Sequence, residues 1–115
     1  MSGRDPVKRI TFHPDADAEV TEAVQYYEIR SPGLGGELLE EVERALGQIA
    51  RNPEAYHRIG HRVRRKTLWR FPYNLVYAVH PDRIRIMAFA HQKRRPLYWR
   101  KRPRNAGDEG SSPAP

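Results

Sequence analysis

Tyr73-Asn74-Leu75-Val76-Tyr77-Ala78-Val79-His80-Pro81-Asp82-Arg83-Ile84-Arg85-Ile86-Met87-Ala88-Phe89-Ala90 decides how this chain folds. Two runs rich in β-forming residues, Tyr73 to His80 and Ile84 to Ala90, flank His80-Pro81-Asp82-Arg83, where Pro and Asp favour a turn. The stretch therefore predicts an antiparallel hairpin. Its first strand is apolar on both faces and belongs at the centre of a sheet, with a helical layer covering one side. Just upstream, Val63 to Trp69 mixes bases with Val, Leu and Trp and predicts a third antiparallel partner. Alternation puts Arg64, Lys66 and Leu68 on one face and Val63, Arg65, Thr67 and Trp69 on the other, so some basic side chains face away from the helices.

Further towards the N-terminus the period changes. Val20, Ala23, Val24 and Tyr27 fall at helical spacing from Pro14 to about Arg30, with Asp15, Asp17 and Glu19 suited to the positive end of the helix dipole. Ser31 as cap and Pro32 at the first helical position predict a second helix, whose stripe of Leu34, Leu38, Val42, Ala45, Leu46 and Ile49 ends near Asn52-Pro53. Val7 to Phe12 alternates apolar and charged residues and predicts a strand, while Glu54 to Gly60 is a connection with room for one helical turn. The expected architecture is α+β: an N-terminal strand, an antiparallel helical hairpin, then a three-stranded antiparallel meander in one small sheet. One sheet face is covered and the other is exposed and basic.

The chain has 115 residues, 38% of them hydrophobic, which suits one domain with one modest core. Residues 7 to 102 are the expected folded unit, between a polar terminus (1 to 6) and a Pro-, Gly- and Ser-rich tail (103 to 115) expected to be disordered. Charge is divided by position. Residues 58 to 104 hold 15 of the 21 Lys and Arg with a single acid, Asp82, whereas residues 1 to 57 hold 11 of the 14 acids. A fold with one basic and one acidic surface is set up to meet a polyanion in a fixed orientation. There is no cysteine, which removes disulfides, thiolate ligands and a Cys nucleophile. No metal or cofactor is expected, no run approaches a membrane span, and a cytoplasmic protein with no membrane partner is the expectation.

Asn52-Pro53 after the second helix, Val63-Arg64-Arg65 opening the next strand, Phe71-Pro72-Tyr73-Asn74-Leu75-Val76-Tyr77, and Ala90-His91-Gln92-Lys93-Arg94-Arg95-Pro96 after the last strand occur in an order that resembles the RelE/ParE superfamily of type II toxins. The resemblance covers nearly all of residues 7 to 102. It implies a toxin that arrests bacterial growth and is neutralised by a cognate acidic antitoxin, with operator DNA met only through that antitoxin. Members resembling RelE cleave messenger RNA on the ribosome; those resembling ParE act on DNA gyrase. The His-x-x-Arg-Arg-x-Pro pattern and the long helical hairpin look closer to ParE.

Metal-free RNA cleavage needs a base for the 2′-hydroxyl, cations for the developing phosphate charge and an acid for the leaving oxygen. In the RelE-like alternative the resemblance assigns that chemistry to Arg65, His91, Arg95 and Tyr98, although the Arg-to-Tyr spacing is shorter than in those nucleases and Pro96 interrupts it. Arg64, Lys66, Arg85, Arg94 and Trp99 are the further candidates for contact with nucleic acid or another target. Tyr98 and Trp99, set among bases, suit base stacking. They suit equally well an anchor holding the C-terminal segment on the sheet. Tyr73 and Tyr77 are read as core. A non-toxic nucleic-acid-binding module, using the basic face by electrostatics alone, is the reading from a different class.

Overall fold

The computed structural model describes residues 8 to 104, so the expectations for residues 1 to 6 and for 105 to 115 lie outside the described residues. The elements run β1 (Arg9–Phe12), α1 (Pro14–Arg30), α2 (Leu34–Arg51), β2 (His57–Gly60), β3 (Val63–Thr67), β4 (Tyr73–Val79) and β5 (Arg83–His91). They form a five-stranded sheet in the order β1-β5-β4-β3-β2. β1 lies parallel to β5 and every other pairing is antiparallel. The α+β architecture and the central place of β4 are as the sequence implies.

Two points differ. The connection after α2 contains an edge strand, not a helical turn: His57-Arg58-Ile59-Gly60 is short and polar, and it pairs with β3 through an irregular register. The second helix starts at Leu34, with Gly33 at its N-cap in the left-handed region (φ 92°), and Ser31 instead ends α1. Glu28 supplies the cap that Ser31 was expected to give. Its carboxylate accepts the Gly33 and Gly35 N–H groups at 2.9 and 3.0 Å, two of the donors a helix start leaves unsatisfied.

The helical stripes and one sheet face make the main core. Ala16, Val20 and Ala23 of α1 and Leu38, Val42, Ala45 and Ile49 of α2 pack on Leu75, Tyr77, Ile84, Ile86 and Phe89. Tyr77, fully buried, donates to the Pro53 carbonyl at 2.6 Å, and burial pushes its phenol up to about 12. Tyr73 stacks on Phe89 with ring centroids 4.4 Å apart. A second cluster lies on the opposite face, where Val63, Val76, Ala78, Met87 and Ala88 pack under Trp99, itself only 6% exposed. The expected exposed basic face is therefore corrected: the segment after β5 folds back as a strap over it, because the apolar side chains there would otherwise meet water.

Candidate functional site

Where the strap leaves β5 it borders a groove of about 190 Å³, lined by Ile59, Arg65, Asn74, Val76, Ala90 and the residues from His91 to Trp99 other than Lys93. β3 supplies Arg65 because it shares a face with Val63, and β4 supplies Asn74 because it shares a face with Val76. Arg65, His91, Arg95 and Tyr98, separated by up to 33 positions in the chain, thus border one concavity, with Arg94 beside them. Arg65, Arg94 and Arg95 are exposed. His91 stands edge-on to Tyr73, and its Nδ1 accepts the Lys93 N–H at 3.0 Å.

Tyr98 is not a free hydroxyl. It donates to Glu19 Oε2 at 2.8 Å, with the Arg94 guanidinium 3.9 Å and the Arg102 guanidinium 5.1 Å from its ring centroid. Burial, then the bond to Glu19 and that carboxylate's charge, hold the phenol well above its ordinary pKa. Glu19 is the hub of this contact. It accepts the Phe89 N–H at 3.0 Å and two guanidinium bonds from Arg102 at 3.1 and 2.9 Å, while Arg94 approaches to 3.8 Å. Burial alone would raise the Glu19 pKa, but hydrogen bonds from Arg102, Phe89 and Tyr98 bring it below the ordinary value, so it stays a carboxylate.

The other candidates are dispersed. Arg64 turns to the helical side of β3 and donates to the Tyr56 carbonyl at 2.8 Å, and Lys66 places its ammonium 4.3 Å above the Tyr56 ring. Arg85 is 2% exposed and donates to Thr11 Oγ1 and the Phe12 carbonyl, tying β5 to β1; burial lowers its pKa. A side chain so enclosed cannot reach an external phosphate, and the same holds for base stacking by Trp99, which fills the second core.

Two residues were missed, Glu19 behind the Tyr98 wall of the groove and Asn74 within it. Glu19 reads in the sequence as a first-turn acid complementing the helix dipole, but it falls three after Ala16 and four before Ala23, beside the buried stripe, and that adjacency is the signal. Asn74 sits in an otherwise apolar strand, and its buried Oδ1 has no hydrogen-bond partner among the described residues. A lone amide in a central strand is its own signal. Trp69 is 87% exposed on the loop after β3, whose Trp69 and Arg70 N–H groups both bond to the buried Glu41 carboxylate. Among the described residues no group of His, Asp and Glu is placed to hold a metal ion, and no helix is long and apolar enough to cross a membrane.

Known proteins align with this architecture. A chain from the chromosomal ParDE toxin–antitoxin system of P. aeruginosa superposes with a TM-score of 0.65 at 16% identity, covering 74% of this chain and 96% of that one, a likeness of fold. No curated protein matches the sequence. Residues 10–96 match the family described as ParE toxin of type II toxin-antitoxin system, parDE. That span runs from β1 through the His91 to Pro96 turn and takes in the groove except for its Leu97–Trp99 wall, so the chain belongs to the ParE toxin family of type II toxin–antitoxin systems.

Proposed function

We propose that this protein arrests bacterial growth by inhibiting DNA gyrase and that it does so by binding, without cleaving RNA. The observation that carries the reading is Tyr98: the one phenol in the groove is committed to Glu19 and held protonated, which leaves the groove without a phenolate to act as base. What remains is a cationic, partly apolar recess suited to docking. A cognate antitoxin of acidic character fits the same surface, charge speeding encounter with Arg65, Arg94 and Arg95 and an apolar anchor adding affinity at exposed Tyr26, which shares a recess with His91 and Arg94. Brief induction of the untagged chain in bacteria lacking the antitoxin, with pulse labelling of DNA and protein synthesis, tests this. DNA synthesis falls first under the proposal; an earlier fall in protein synthesis contradicts it.

The convergence of Arg65, His91, Arg95 and Tyr98 on one groove favours the RelE-like nuclease as the second reading. Under it Tyr98→Phe, Arg65→Ala and Arg95→Ala each abolish toxicity while the fold is kept. Under the gyrase reading Tyr98→Phe leaves toxicity in place.

A further inference from the structure

A second concavity, of about 350 Å³, opens at the other end of the sheet, where β2 and β3 meet the β4–β5 turn. Val79 on its wall is five residues along β4 from Asn74 in the groove, a separation of about 16 Å. Arg58 and Arg64 enter it as direct cross-strand partners. Like charges placed opposite one another weaken a sheet unless something between them offsets the repulsion. Lys8 and Arg62 add two more cations, and among the described residues Glu54 is the one acid on the wall.

Three of these cations are aimed by backbone carbonyls. Arg58 Nε donates to the Gly60 carbonyl at 3.3 Å, Arg64 Nη1 to the Tyr56 carbonyl at 2.8 Å, and Lys8 Nζ to the His80 carbonyl at 2.9 Å. Among the described residues none of Lys8, Arg58, Arg62 and Arg64 forms an ion pair with a carboxylate. Arg62 holds a left-handed backbone (φ 61°) that glycine or asparagine would adopt with less strain. Carbonyl bonds fix direction and leave the charge whole, which is the arrangement an incoming anion needs.

We propose that this cleft binds the phosphodiester backbone of nucleic acid. The shape and lining choose among anions. Its volume takes more than one phosphate group, and among the described residues its apolar wall is limited to Val79 and Pro81, with no Phe, Tyr or Trp on which a free nucleotide's base would stack. An acidic peptide, whose affinity rests on apolar anchors, finds few here, whereas phosphodiester binding is supplied by charge. The proposal departs from the expectation that DNA is met only through an antitoxin, and it is independent of whether gyrase or the ribosome is the target.

The test is anisotropy of a labelled DNA duplex of about 20 base pairs with the purified full chain across a salt series, because each phosphate contact contributes about 0.9 to the slope of log affinity against log salt. Arg58→Gln with Arg62→Asn removes two contacts, lowering that slope by about 2 and the affinity by about tenfold. Asn accepts the left-handed backbone, so this variant melts no lower than the parent. The charge-matched control, Arg44→Gln with Arg51→Gln on exposed α2 positions, binds as the parent does. An equal loss in the control overturns the proposal, since net charge alone would then explain binding. So does displacement of DNA by equimolar pyrophosphate or ATP, or equally tight binding of a charge-matched poly-glutamate peptide with the same loss in the cleft variant.

Discussion

Glu19 holds the strap to the body of the protein, and its replacement is the sharpest test at the scale of one residue. Glu19→Gln leaves the Arg102 guanidinium, 15% exposed, with only the more distant and exposed Asp15 carboxylate at 3.7 Å among the described residues, and lowers stability by about 2 kcal/mol, read by urea unfolding. The Glu19 pKa is lowered on folding, so its contribution is present above the ordinary value of 4.5 and is lost as pH falls through the folded value; that part of the acid limb disappears in the variant. His13 works in the same direction, in a higher pH window. Buried at the N-cap of α1, its Nδ1 accepts the Asp15 N–H at 3.0 Å, a bond that protonation of that nitrogen abolishes. Burial, first of all, holds its pKa below the ordinary 6.5, despite the raising influence of Asp15. Between the folded value and 6.5 the unfolded chain binds more protons, so stability falls as pH drops below 6.5. His13→Asn keeps a capping oxygen and flattens that dependence, measured as melting temperature against pH. His13 was not legible in the sequence, where it precedes Pro14 without any marker of burial.

Between α1 and α2 the deciding element is their close approach at Gly35. A Cβ there would meet the Val24 carbonyl oxygen at 2.5 Å and Glu28 Cβ at 2.9 Å, while at neighbouring Gly36 nothing lies within 4 Å. Gly35→Ala therefore pushes the helices apart and costs about 2 kcal/mol, whereas Gly36→Ala stabilises by about 0.5 kcal/mol through helix propensity. Thermal unfolding of the pair separates the two effects. The helices and β4 were legible because their apolar spacing is strong: Leu38, Val42, Ala45 and Ile49 are all buried as the stripe implies. β2 was not, since an edge strand of four mostly exposed residues carries no period. β5 hides another feature. Its pairing with β4 slips between Val76 and Tyr77, so Ile84 and Ile86 face the helices while Met87 and Ala88 face the strap and Phe89 returns to the helical side. Simple alternation along Ile84 to Ala90 cannot show that rephasing.

Over the whole molecule the sequence's charge division becomes two cationic recesses at opposite ends of one sheet, each on a different face. The groove was partly legible: Arg65, His91, Arg95 and Tyr98 were named from their order in the chain, and the sheet and strap bring them to one place. What the order of residues did not carry was the strap, whose Trp99 covers the second core and whose Tyr98 is bound to Glu19 from a helix 79 positions away. The match to the ParE family ends at residue 96, so the Tyr98, Trp99 and Arg102 contacts lie beyond the span that the family match covers. The proposal of a binding toxin directed at gyrase rests on the family match and on this committed phenol. The direct measurement is supercoiling of relaxed plasmid by purified gyrase with increasing amounts of the purified chain. The account predicts loss of supercoiling with accumulation of cleaved DNA complexes, unchanged by Tyr98→Phe; full supercoiling at saturating chain, with cleavage of ribosome-bound messenger RNA that Tyr98→Phe abolishes, would contradict it.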